Sequence, residues 1–74
     1  MSTQIVMDHT GDTRYDVDTS NELSVKEAME RFDKLVSEGY TPAKRKEKGA
    51  QPEITRQYDP TAEETLFIPR LQGG

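Results

Sequence analysis

The chain has 74 residues, no cysteine, 31% hydrophobic and 32% charged side chains, and a formal net charge of -4. A chain of this size forms one domain with a small core, burying roughly 60% of its unfolded surface, which leaves little room for a deep enzymatic cleft. Lack of cysteine excludes disulfide staples, thiolate nucleophiles and Cys-ligated zinc and fits a cytosolic setting, and the negative net charge opposes general attraction to a phosphate backbone.

In chain order, residues 4–8 read as a strand and 13–18 as its hairpin partner, with "HTGD" between them supplying a turn in which Gly11 takes positive φ at little cost. Thr13, Tyr15 and Val17 alternate with Arg14, Asp16 and Asp18, which predicts one dry and one wet face. The segment "LSVKEAMERFDKLVSEG" predicts a helix. Ser24 is placed at the N-cap with Glu27 completing a capping box, Leu23 staples onto Ala28, and Gly39 suits the left-handed position after the C-cap. Val25, Ala28, Met29, Phe32, Leu35 and Val36 form its apolar stripe, expected to be core.

Beyond Gly39, "YTPAKRK" and "EITRQYD" read as two further strands joined by the loop "EKGAQP". Pro42 marks the first of them as an edge or a short strand. "DPTAEE" is a turn with Pro60 at its second position and Asp59 accepting backbone hydrogen bonds. In "TLFIPRL" the consecutive Leu66, Phe67 and Ile68 predict a central strand buried on both faces. The expected class is α+β, with a mixed sheet of four to five strands wrapped on one helix in the order ββαβββ.

No catalytic set stands out. His9 is the single histidine and stands between turn aspartates, too few ligands for a metal centre, and no Ser-His-Asp or paired-carboxylate arrangement occurs. The expectation is a protein without metal or cofactor, acted on by enzymes and not itself an enzyme. Lys44, Arg45, Lys46 and Lys48 form a basic run, expected to be a solvated hairpin tip guarding an edge in preference to a nucleic-acid grip. There is no signal-peptide pattern and no run near the ~20 apolar residues of a membrane span, so a soluble, monomeric, cytoplasmic protein is expected.

The opening "QIVMDHTGDTRYDVDTSNELSVKEAMERF" and the closing "ETLFIPRLQGG" together resemble ubiquitin and its β-grasp relatives, and between Gly39 and Thr61 the likeness stops. The resemblance implies a β-grasp domain over 1–71, a flexible tail at 72–74, and a prokaryotic-type modifier. It also implies that an activating enzyme uses ATP to adenylate the carboxylate of Gly74, with a conjugating enzyme, a protease and target proteins as further partners. Gly73 and Gly74 lack side chains that would clash in a narrow channel. Arg70 offers a planar guanidinium to an acidic partner. Leu71 adds an apolar anchor, and Gln72 departs from the second arginine of ubiquitin's tail. Pro69 fixes φ and removes a donor where the strand ends. By the same resemblance Ile68, with Val6 and Arg14, marks a partner surface, and Lys26, Lys34, Lys44, Lys46 and Lys48 would be chain-forming sites. Two alternatives stay open: a sulfur carrier bearing a thiocarboxylate on Gly74, and an interaction module without tail chemistry.

Overall fold

The computed structural model describes residues 1–69. Its elements are β1 (Ser2–Asp8), β2 (Gly11–Val17), α1 (Glu22–Ser37), β3 (Thr41–Arg45), β4 (Glu53–Ile54) and β5 (Glu64–Ile68), and the five strands form one mixed sheet in the order β2-β1-β5-β3-β4. β1 pairs antiparallel with β2 and parallel with β5, and β3 runs antiparallel to both β5 and β4.

The first hairpin is longer than its apolar alternation indicated, because Ser2 is buried and its Oγ donates to the carbonyl of Ala62 at 2.8 Å. Asp8 pairs with Gly11, so His9 and Thr10 make the corner, and the left-handed conformation falls on Gly11 at φ +133°. On β2 the expected dry face is only partly so: Val17 is buried, whereas Tyr15 is 38% exposed. β2 is an edge strand, and α1 stands off its middle.

Asn21, not Ser24, caps α1. Asn21 Oδ1 accepts from the amides of Leu23 and Ser24 at 2.9 and 3.3 Å. The Ser24 hydroxyl is engaged elsewhere, accepting from the amide of Asp18 at 3.0 Å, so the capping box with Glu27 is not the helix start. Leu23 is 63% exposed and provides no staple to Ala28. The C-terminus matches its expectation: Gly39 has φ +104°, its amide donates to Val36 and that of Tyr40 to Leu35, a Schellman closure.

The helix buries Ala28 and Phe32, but Met29 is 52% and Val36 40% exposed, so the core stripe is narrower than its sequence pattern. The sheet meets this helix with its even-numbered β1 residues and with Phe67. Phe32 and Phe67 pack edge to face at 5.7 Å with Val6, and Tyr58, Leu35 and Tyr40 close around them. On the opposite face Ile5, Leu66 and Ala43 form a second cluster with Met7. β5 is therefore central and buried on both faces at Leu66 and Phe67, as expected, whereas Ile68, the third residue of the expected run, is 38% exposed at the strand's end.

β3 is short but is not an edge, since β5 and β4 flank it. Pro42 is tolerated there because its carbonyl faces the β4 side, accepting from Thr55, and a strand residue's nitrogen faces the same side as its carbonyl. The missing N–H thus falls past the two-residue end of β4. The expected strand "EITRQYD" stops at Ile54, because the Thr55 hydroxyl donates to the carbonyl of Gln57 and Tyr58 turns back onto Phe32 at 6.0 Å.

A buried amide joins the layers. Gln4 is fully buried, its Nε2 donates to the carbonyl of Ala28 at 3.0 Å, and its Oε1 accepts from Arg31 Nη1 at 2.7 Å. Thr65, equally buried on β5, has a hydroxyl without a partner. Urea denaturation is expected to show Gln4→Ala destabilised by about 3 kcal/mol, from lost hydrogen bonds and a cavity. Thr65→Val is expected to stabilise by about 1 kcal/mol, since it removes an unpaired hydroxyl at constant shape.

Candidate functional site

The last strand positions the candidate site. Ile5↔Leu66 and Val6↔Phe67 align β5 with β1 in parallel, while Thr41↔Ile68 aligns it with the start of β3. The chain therefore leaves the sheet at Pro69 between the C-terminal end of β1 and the first residue of β3. Gly73, Gly74, Arg70, Leu71 and Gln72 lie outside the described residues.

The three expected surface residues do not share a face. Val6 packs beside Phe32 under the helix and is 9% exposed. Ile68 stands two residues from Leu66, on the face away from the helix, and is 38% exposed. Arg14 lies opposite Ile5 in the hairpin register and belongs to that same outer face. The register places Arg14, Ile5, Leu66, Ala43 and Ile54 in one row across all five strands. Its middle is buried, whereas Ile54 at its far end is 69% exposed. A second row, Asp16, Thr3, Glu64 and Arg45, is polar: the Thr3 hydroxyl donates to Asp16 at 3.4 Å, and Arg45 Nε stands 3.1 Å from Glu64 Oε1 without aiming its N–H at that oxygen.

The basic run is partly neutralised by the fold. Lys44 Nζ lies 3.1 Å from Asp59 Oδ2 and Arg45 faces Glu64, while Lys46 and Lys48 stay exposed at the hairpin tip, where the Lys48 amide donates to Glu63 at 3.1 Å. An open cavity of about 470 Å³ lies beside this pair, lined by Lys44, Thr55, Arg56, Tyr58, Asp59 and Pro60 among others. Among the described residues no group of three or more His, Cys, Asp or Glu converges, and His9 is exposed at its turn. No described helix is long and apolar enough to cross a membrane.

Two features escaped the sequence pattern. One is a groove of about 430 Å³ between β2 and α1, with Val6 and Leu35, Tyr15 and Arg31 among its lining residues. Arg31 was one position off the helix stripe, and Gln4 was the polar member of an apolar strand face, which is the signal that could have linked them. The other is the hydroxyl that completes each aspartate turn: beside the amide, as expected for Asp59, Asp8, Asp18 and Asp59 each accept from the hydroxyl of the Thr or Ser two residues on. The hydroxyls of Thr10 and Ser20 hold the Asp8 and Asp18 carboxyls below the ordinary range. The Thr61 hydroxyl, then Lys44, brings Asp59 down to about 2.

Comparison with protein-family models, with curated proteins and with solved structures finds no match.

The depressed Asp59 carboxyl fixes a pH dependence. The stability it contributes is present above its unfolded value of 3.8 and is lost as pH falls through about 2. Asp59→Asn is expected to lower stability at neutral pH and to flatten the acid limb of a stability–pH curve, with the two proteins converging as pH falls through about 2, as followed by urea midpoints.

Proposed function

We propose that the chain is a ubiquitin-like β-grasp modifier, activated at the carboxylate of Gly74 and joined by an isopeptide bond to lysines of target proteins. The observation that carries this reading is the position of β5: a central strand, parallel to β1 and packed on α1, continues in sequence through Pro69 into "RLQGG". Support also comes from the order of two hairpin strands, a helix and three further strands. In the reaction, a carboxylate oxygen of Gly74 attacks the α-phosphate of ATP on the activating enzyme and pyrophosphate leaves. A lysine amine of the target then displaces the activated carbonyl's leaving group, directly or after passage through an enzyme thioester. The chain is the substrate of this sequence and supplies no catalytic group.

Arg70, Leu71 and Gln72 are the residues proposed to engage the activating enzyme, Arg70 through bidentate pairing with a carboxylate. Ile68 and Arg14 remain the proposed partner surface on the outer face, without Val6. Proteins from the native host are expected to carry a Leu-Gln-Gly-Gly remnant on lysines after trypsin cuts behind Arg70. Deleting Gly73 and Gly74 is expected to abolish that remnant and leave the thermal midpoint unchanged. Replacement of one oxygen by sulfur at Gly74, with no remnant on any lysine, would assign a sulfur carrier instead, and retention of every partner by the truncated chain would assign an interaction module.

A further inference from the structure

The cavity of about 470 Å³ beside β3 is left unused by the proposed tail chemistry. Its walls come from β3 and from the segment that follows β4. The Thr55 amide donates to the Pro42 carbonyl at 3.1 Å and the Thr55 hydroxyl to the Gln57 carbonyl at 2.8 Å, which holds this segment against β3 and bends it. Asp59 then turns the chain: its Oδ1 accepts from the amide of Thr61 at 2.9 Å and from the Thr61 hydroxyl, and its Oδ2 stands 3.1 Å from Lys44 Nζ. Both carboxylate oxygens are therefore engaged, and Lys44 is held at the cavity wall with two of its three N–H groups still to place.

Donors outnumber acceptors here. Arg56 also lines the cavity and is exposed, and the ion pairs among the described residues are Lys44–Asp59 and Arg45–Glu64, so no described carboxylate is within salt-bridge reach of Arg56. Tyr58, a further lining residue, packs its ring on Phe32 at 6.0 Å, and its hydroxyl is buried without a partner. A buried hydroxyl in that state is costly until an acceptor reaches it. Asp59 is the one acidic member of the described lining residues, and Asp33 belongs to a neighbouring cavity of about 220 Å³. Two cations against one carboxylate leave one positive charge, in a chain whose net charge is -4.

We infer that this cavity binds the phosphate monoester of a small polar molecule, whose three terminal oxygens accept from the Lys44 ammonium, the Arg56 guanidinium and the Tyr58 hydroxyl. A carboxylate matches the site less well, because its two oxygens lie in one plane while the donors come from a strand and from a loop. The volume falls within the range of roughly 300–1,000 Å³ typical of small-molecule sites, which leaves room for a body beyond the phosphate. Polar lining by Thr55, Gln57 and Asp59 selects a hydroxylated body, not an apolar one. A nucleic-acid strand is a poorer occupant, since the net charge of the chain repels a polyanion. This binding does not depend on Gly73 or Gly74.

The test titrates ribose 5-phosphate, inorganic phosphate and acetate separately into isotope-labelled protein at constant ionic strength. Saturable shifts are expected from ribose 5-phosphate at the amides of Lys44 and of residues 55–59, with inorganic phosphate binding about tenfold more weakly and acetate more weakly still. Arg56→Gln, an exposed substitution, is expected to weaken binding of the sugar phosphate about tenfold with the fold intact. Tyr58→Phe is expected to weaken it by about the same factor and to raise the urea midpoint, since an unpaired buried hydroxyl is removed. A hydroxyl with only a structural role would move the midpoint alone. No saturable shift at tens of millimolar sugar phosphate, undiminished binding by Arg56→Gln or by Tyr58→Phe, or acetate bound as tightly would each overturn the inference. Equal affinity for inorganic phosphate would overturn the ester and assign the site to the free ion.

Discussion

Strand β5 is held by a ladder on each side and by a hydrophobic cluster on each face, and the other elements take their places from it. β1 lies parallel on one flank and β3 antiparallel on the other. Phe67 reaches Phe32 and Val6 under the helix, while Leu66 reaches Ile5 and Ala43 on the outer face. A chain of 74 residues has little core to distribute. Much of it is concentrated in the strand that comes last in sequence, so β1 and β5 meet only when the two ends of the domain come together. Thr3 and Ser2 reinforce that closure, bonding to the carbonyls of Glu63 and Ala62.

The features legible in the sequence were those that local chemistry decides. Gly39 ends the helix because a left-handed residue is needed there, and Leu66-Phe67 marks a strand buried on both faces because no alternation remains. Asp59 and Pro60 set a turn by bonding and φ alone. What escaped depends on tertiary competition. Ser24 and Glu27 have the pattern of a helix start, yet the Ser24 hydroxyl is taken by Asp18 and Asn21 caps instead. "EITRQYD" alternates like a strand, but Tyr58 leaves the sheet to pack on Phe32. Val6 and Ile68 were grouped as one surface, and only the pairing of Val6 with Phe67 reveals that they face opposite ways. The groove was invisible because its floor, wall and charge come from three elements.

The same architecture divides the surface into regions with different chemistry. The outer face has a buried apolar row with Ile54 and Ile68 exposed toward its margins, and a polar row beside it. The helix side of the hairpin carries an oriented arginine next to an open strand edge. The end of β5 delivers the chain into its Gly-Gly sequence. In the proposed function, a terminal glycine carboxylate presented to an enzyme would benefit from a well-held base, because ordering entropy then falls on few residues. The concentration of packing on β5 supplies such a base.

Native-state amide hydrogen exchange tests the primacy of β5 most directly. The account predicts that the amides of Leu66 and Phe67 exchange only through global unfolding, as slowly as that of Ile5 and more slowly than the ladder-bonded amides of Tyr15 on β2 and Thr55 at the end of β4. Exchange of Leu66 and Phe67 by local opening, at rates matching those edge strands, would contradict it and remove the fixed base from which the tail is proposed to act.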